Sequence, residues 1–267
     1  MPEVRKAYAD TSLGQVHYAE AGTGPAILLL HQTPRSHDEF REVQPLLAEA
    51  HRAIAVDMPG FGQSVRLPAP QTIEMFARGV LAFLDALGLD DAAVLGHHTG
   101  GAVGIELAAI APERVRALML SSTPWTGPDY RAAHAGRTTV DEVEPTGDGQ
   151  HLVEMWGIRR PYYPAGRPDL RDRFLHDALA HGVDPAEGHR ACVRYRMEDR
   201  IGLVTAPVLL IGAEADPFAF PDVPKLERQL VNAKRLAVAS IPGGMVPLME
   251  QCPREVAAAV LSFLGGD

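Results

Sequence analysis

The chain has only two cysteines in 267 residues, Cys192 and Cys252, too few and too far apart for a disulfide framework or a zinc-type spacing. It has no run approaching the roughly 18 consecutive apolar residues of a membrane helix, and charges fill the stretch 1–10 where a secretion signal would carry its apolar core. It also has no basic stripe. Lys and Arg are scattered and the formal charge is −9, so neither nucleic acid nor a membrane is expected as a partner. Eleven histidines are present, yet none form a His-Glu-x-x-His or His-x-His pairing, and the adjacent His97 and His98 point in different directions, so no metal is expected. These exclusions leave a cytoplasmic, cofactor-free protein acting on a small molecule, with a homodimer left open.

What is present is a chain with 46% hydrophobic residues, enough for the core of one large α/β domain. The stretch Val94-Leu95-Gly96-His97-His98-Thr99-Gly100-Gly101 has the Gly-x-nucleophile-x-Gly pattern of a catalytic elbow, with a strand expected before it and a helix after it. So tight a turn strains its central residue, and side chains at Gly96 and Gly100 would clash with it. The central residue is held out over the sheet. Here it is His98, where a serine is expected.

Around the elbow, apolar runs alternate with helical patterns. An N-terminal hairpin (4–8 and 14–20) precedes buried strands at 26–30, 53–56, 92–95, 115–120, 206–211 and 236–241, and helical spacing marks 39–50, 72–87, 102–110 and 253–264. Strand and helix in this rhythm imply a mostly parallel sheet with helices on both faces and functional groups at the carboxyl ends of its strands. From 127 to 200 the rhythm breaks into short helical patterns rich in Arg, His, Asp and Pro. This segment is read as a helical lid inserted in a core made of 1–126 and 201–267.

The loop 31–36, the loop 57–64, the elbow, the Asp216 loop and the segment 242–247, in this order, resemble the α/β-hydrolase superfamily in its capped branch. The resemblance implies the α/β-hydrolase fold and places Asp216 as the catalytic acid. It also implies an oxyanion hole made by the backbone amides of Gln32 and Thr99. The family's histidine would fall in a Gly-Gly-His-x-Pro pattern, but this chain reads Gly243-Gly244-Met245-Val246-Pro247. Methionine cannot relay a proton.

An imidazole on the elbow reaches roughly 3 Å beyond a serine oxygen, by bond lengths of about 1.5 Å. His98 is therefore expected to lean into the space beside Met245 and pair with Asp216. Such a dyad is a general acid/base or, less readily, a nucleophile. It fits hydrolysis of an ester, thioester or C–C bond, and equally lyase, isomerase or cyclase chemistry; a third alternative is an inactive small-molecule binding protein. Arg35 is a candidate to hold a substrate carboxylate, although an exposed loop arginine is the commoner outcome. Trp125, Trp156, Tyr162, Tyr163 and Met245 are candidates to wall the pocket, with His97 and His31 read as structural and a lid histidine left open as a substitute for the missing one.

Overall fold

Each of the apolar runs becomes a strand of one sheet, because a fully buried Leu, Ile or Val contributes about 1.5–3 kcal/mol and a run of them must be covered on both faces. The computed structural model describes residues 2–137 and 140–266. Its strands are β1 (Arg5–Thr11), β2 (Gly14–Ala21), β3 (Ala26–Leu30), β4 (Arg52–Val56), β5 (Ala92–His97), β6 (Val115–Ser121), β7 (Val208–Ala213) and β8 (Leu236–Ile241). They form one 8-stranded sheet in the order β1-β2-β4-β3-β5-β6-β7-β8. β1 and β2 are a hairpin, β2 runs antiparallel to β4, and all other pairs are parallel.

The helices are α1 (Gln44–Leu47), α2 (Ile73–Ala86), α3 (Thr99–Ile110), α4 (Pro128–His134), α5 (Gln150–Arg159), α6 (Pro168–Ala178), α7 (Glu187–Arg194), α8 (Val223–Gln229), α9 (Leu248–Gln251) and α10 (Pro253–Leu264). α2 starts where Thr72 caps it, the hydroxyl accepting from the Met75 amide at 3.2 Å. Its buried stripe of Ile73, Phe76, Val80, Phe83 and Leu84 packs with α3 on one face of the sheet, while Leu47 and the α10 residues Val256, Val260 and Phe263 cover the other.

The helix expected over 39–50 is not one helix. A 3-10 turn (His37–Phe40) and the short α1 replace it, because Glu39 and Gln44 are buried and committed to fixed partners. Gln44 Nε2 donates to Ala19 O at 2.8 Å and Ala53 O at 3.0 Å, bridging β2 and β4.

Between β6 and β7 the chain makes α4–α7, which carry an apolar cluster of their own: Met155, Tyr163, Leu170, Phe174 and Ala178, joined by Val246 from the loop after β8. This segment is also fixed to the β3 loop by charge. Arg173 Nε donates to Asp38 Oδ2 at 2.6 Å and Arg173 Nη1 to Glu42 Oε1 at 2.8 Å.

Candidate functional site

The elbow is shaped by its glycines. A Cβ on Gly96 would stand 2.2 Å from Gly100 O, one on Gly100 would stand 2.0 Å from Leu30 O, and one on Gly101 would stand 1.9 Å from Thr123 Oγ1. With those approaches open, β5 turns directly into α3 and His98 takes φ 47° and ψ −112°, a backbone state costing a non-glycine residue about 1–3 kcal/mol. The turn points the ring off the end of the sheet.

There it meets Asp216. His98 Nε2 lies 2.8 Å from Asp216 Oδ2, with the His98 side chain 13% exposed and the carboxylate buried. Asp216 Oδ1 also accepts from the amides of Phe218 at 2.9 Å and Ala219 at 3.3 Å. Burial works against ionisation of Asp216, but the charge and hydrogen bond of His98 and the Phe218 amide outweigh it and hold the carboxyl below its ordinary range. An ionised carboxylate only accepts, so Nε2 carries the proton, and in the neutral ring Nδ1 keeps the lone pair.

His97 behaves as a core residue. Its Nε2 donates to Val246 O at 2.9 Å, and burial, helped by the charge of His98, pushes it down to about 3. That bond fixes the loop in which Met245 stands, and the Met245 amide donates to Gln251 Oε1 at 2.7 Å. His31 also orders its own loop, receiving the Met58 amide on Nε2 at 3.0 Å.

The histidines of the inserted segment are engaged elsewhere: His189 with Asp141 at 2.9 Å, His134 with Tyr130 O at 2.7 Å, His151 with Thr146 at 3.1 Å. His176 is exposed beside Asp177, and His181 offers its carbonyl to Arg66. Among the described residues, the imidazole that Asp216 receives is that of His98.

Two expectations are corrected. The Gln32 amide already donates to Glu39 Oε2 at 2.8 Å, and Gln32 Nε2 donates to Glu39 Oε1 at 2.5 Å. The next amide, that of Thr33, has no protein acceptor among the described residues, and Thr33 Oγ1 is buried without a hydrogen-bond partner. Of the two loop amides, that of Thr33 is therefore the unoccupied one, and Thr99 opens α3 and so has no intrahelical acceptor for its own amide. α7 covers both threonines: a Cβ on Gly188 would lie 2.1 Å from Thr33 Oγ1, and the Cys192 thiol donates to Thr99 Oγ1 at 3.7 Å.

Arg35 is the second correction. It is neither exposed nor free for a ligand, being fully buried with Nε on Asp177 Oδ2 at 2.7 Å and Nη1 on Glu250 Oε1 at 2.5 Å. Desolvation lowers its affinity for the proton, but Glu250 and Asp177 outweigh that and keep it charged. Carboxylates 142 and 215 residues away are invisible to a local reading of the loop.

The aromatic candidates divide. Trp156 is engaged within the inserted segment, its ring under Arg171 at 3.4 Å from the centroid and its indole nitrogen donating to Asp172 at 3.2 Å. Tyr163 belongs to the apolar cluster of the inserted segment, its hydroxyl buried without a partner. Tyr162 stacks edge-on with Phe218 of the Asp216 loop at 4.6 Å, and Trp125 is buried at the end of β6, its amide donating to Asp222 Oδ2 at 2.8 Å. Met245 is half-buried beside these loops.

The family profile described as alpha/beta hydrolase fold matches residues 25–244. The chain is 36% identical over 131 residues to bifunctional epoxide hydrolase 2 of Mus musculus, covering 48% of this chain but only 24% of the mouse enzyme, about a quarter of its length. It is 28% identical over 279 residues to haloalkane dehalogenase 2 of Mycobacterium tuberculosis, covering 96% of this chain and 93% of that one. The crystal structure of a hydrolase from Pseudomonas aeruginosa PA01 superposes with a TM-score of 0.77 at 24% identity, covering 98% of this chain and 99% of that chain. The enol-lactonase from Burkholderia xenovorans LB400 does so with a TM-score of 0.76 at 20% identity, covering 97% of this chain and 100% of that chain.

Proposed function

Because the chain belongs to the alpha/beta hydrolase fold family, we propose that it is a hydrolase of a small carbonyl compound, an ester or thioester, in which His98 is the general base and Asp216 orients it. The observation that carries the reading is the 2.8 Å contact from His98 Nε2 to Asp216 Oδ2, which leaves Nδ1 as the base. Nδ1 takes a proton from water as the oxygen attacks the acyl carbon. The amides of Thr33 and Thr99 receive the developing oxyanion. The imidazolium, stabilised by the Asp216 carboxylate, then returns the proton to the leaving oxygen or sulfur as the acyl bond breaks. The segment α4–α7 serves as a lid over this site, with 1–126 and 201–267 as the core that carries it.

Relatives named for epoxides and haloalkanes extend the range of electrophiles to consider, since base-activated water also attacks a saturated carbon. A second reading is favoured by the low exposure of the His98 side chain, 13%. In a site so poor in bulk water, the same base removes a proton from carbon and the same amides hold an enolate, as in a lyase or isomerase.

Turnover of a short-chain p-nitrophenyl ester and thioester series by wild type, His98→Ala and Asp216→Ala tests the proposal. Removal of the base is expected to lower kcat on the order of 10² to 10⁴. Wild-type turnover no greater than that of the two variants overturns the hydrolytic reading.

A further inference from the structure

A second constellation lies on the other flank of the sheet, built from β2, β3 and β4 instead of β5 and β7. His17 comes from β2, His37 from the turn after β3, and Asp57 directly follows β4. One ligand-capable atom from each lies within 4.8 Å of the others. His17 Nδ1 is 2.9 Å from Asp57 Oδ2, and His37 Nδ1 is 2.8 Å from Asp57 Oδ1. His17 and Asp57 are 2% and 1% exposed.

The surrounding chain holds these groups rigidly. The His37 amide donates to Asp57 Oδ1 at 2.7 Å and the Gln63 amide to Asp57 Oδ2 at 2.9 Å, so each carboxylate oxygen is oriented by a backbone donor as well as by an imidazole. Ser64 Oγ accepts from the His17 amide at 2.9 Å and donates to Asp57 O at 2.6 Å, fixing the two strands to each other. Gly62, at φ +50°, brings the backbone so close that a Cβ there would lie 2.2 Å from Asp57 Oδ2. The imidazoles meet edge-on, 4.8 Å between centroids, and Tyr8 closes over His17 at 5.0 Å.

We propose that His17, His37 and Asp57 form a binding site for a divalent cation of the zinc class. Two imidazoles and one carboxylate are the donor set such ions prefer, and the backbone bonds to Asp57 and Ser64 are the outer contacts that hold ligands in place. The ion takes the place of the two Nδ1 protons now directed at Asp57, and each proton moves to Nε2 of the same ring, so both imidazoles stay neutral and the buried carboxylate gains a counter-charge. A cleft of about 440 Å³, lined by His37, Asp57, Gln63, Lys6 and Arg173 among others, gives the ion its route in and admits water to the coordination positions the protein leaves open. The ion ties β2, the β3 loop and β4 together at a place independent of the dyad.

Titration of the tag-free, chelator-stripped protein with Zn²⁺ alone by calorimetry, and with Co²⁺ followed by its visible absorption, tests the assignment. One equivalent is expected to bind with low-micromolar affinity or tighter, with the absorption of a four-coordinate nitrogen and oxygen site. His37→Ala is expected to weaken binding at least about ten-fold, and His176→Ala, at the mouth of the cleft, to leave it unchanged. His37 is partly exposed, and circular dichroism and thermal melting show whether its variant is folded; should it not be, His37→Asn, which keeps a polar side chain there, carries the same expectation. No saturable one-to-one binding, binding indifferent to the change at His37, or binding lost only in His176→Ala overturns the proposal; the first outcome leaves the cluster as a hydrogen-bonded brace.

Discussion

His98 Nε2 and Asp216 Oδ2, 118 residues apart in the chain, stand 2.8 Å apart at the carboxyl ends of the central strands, while Met245 occupies the loop position where the family's histidine is expected. An imidazole thus faces the Asp216 carboxylate from the elbow side, not from the loop of Met245. Asp216→Asn is expected to lose most of the kcat that His98→Ala loses, because an amide neither fixes the tautomer nor stabilises the imidazolium. The double variant should be little worse than either single one, since residues acting as a unit are not additive. Steady-state kinetics of the three variants checks this; losses that multiply would separate the two residues.

The same pair sets an acid limit on stability. Asp216 is held below its ordinary range, so its contribution is fully present above the unfolded carboxyl value of about 3.9 and is lost as pH falls through the folded value. Asp216→Asn should therefore lose stability relative to wild type at pH 6 and approach it below about pH 3.5. Urea denaturation at the two pH values reads the difference. A gap that does not narrow in acid would remove the ion-pair account.

Glu39 works in the opposite direction. Burial and the nearby charge of Glu250 push its carboxyl up to about 8. The folded state then binds a proton that the unfolded chain releases, so stability falls as pH rises from about 4.5 toward 8. Glu39→Gln keeps an oxygen for the Gln32 amide, and the Gln32 side chain can turn its own oxygen toward the new NH₂ group. This variant is expected to flatten the decline between pH 5 and 8, measured by denaturation midpoints, and to be no less stable than wild type at pH 8.5.

Arg35 is the joint between the core and the inserted segment, since Asp177 lies on α6 and Glu250 on α9. Truncating it leaves carboxylates buried without their partner, a loss of about 3–5 kcal/mol. Arg35→Lys should recover little, because a point charge cannot serve Nε and Nη1 contacts at once. Chemical denaturation measures the stability, and faster proteolysis within α4–α7 in Arg35→Ala is the expected sign that the segment has come loose.

Which of these relations could be read from the sequence follows from how local each one is. The runs Ala26–Leu30 and Leu236–Ile241 are strands with the bounds their apolar residues imply, and Gly96 and Gly100 mark the elbow because the tight turn brings Gly96 against Gly100 O, four residues on. Arg35, Glu39 and Gln44 were illegible for the opposite reason. Each is a polar residue in a helix-like or loop-like stretch whose burial is settled by side chains and backbone outside its own element: Gln32 of the β3 loop for Glu39, β2 and β4 for Gln44, and α6 and α9 for Arg35. His17, His37 and Asp57 share that obscurity, since their spacing of 20 and 40 residues follows no ligand motif and only strand order brings them together. Gln32 and Thr33 differ by one residue, and only the bond to Glu39 decides which amide is left free.

If the dyad is a relocated imidazole, the ordinary arrangement should be recoverable. Met245→His alone sets two imidazoles against one carboxylate with no hydroxyl to activate, and no gain in ester turnover is expected. His98→Ser alone restores a hydroxyl but leaves Met245, which cannot take its proton. Together, His98→Ser and Met245→His place hydroxyl, imidazole and Asp216 in the order the family uses, on an elbow whose glycines are unchanged. The double variant should release p-nitrophenol from an acetate ester in a burst of about one equivalent, the mark of an acyl-enzyme, with neither single variant doing so. A double variant that folds, by its thermal melt, but shows no burst would mean that the loop held by His97 and Gln251 does not present residue 245 to Asp216.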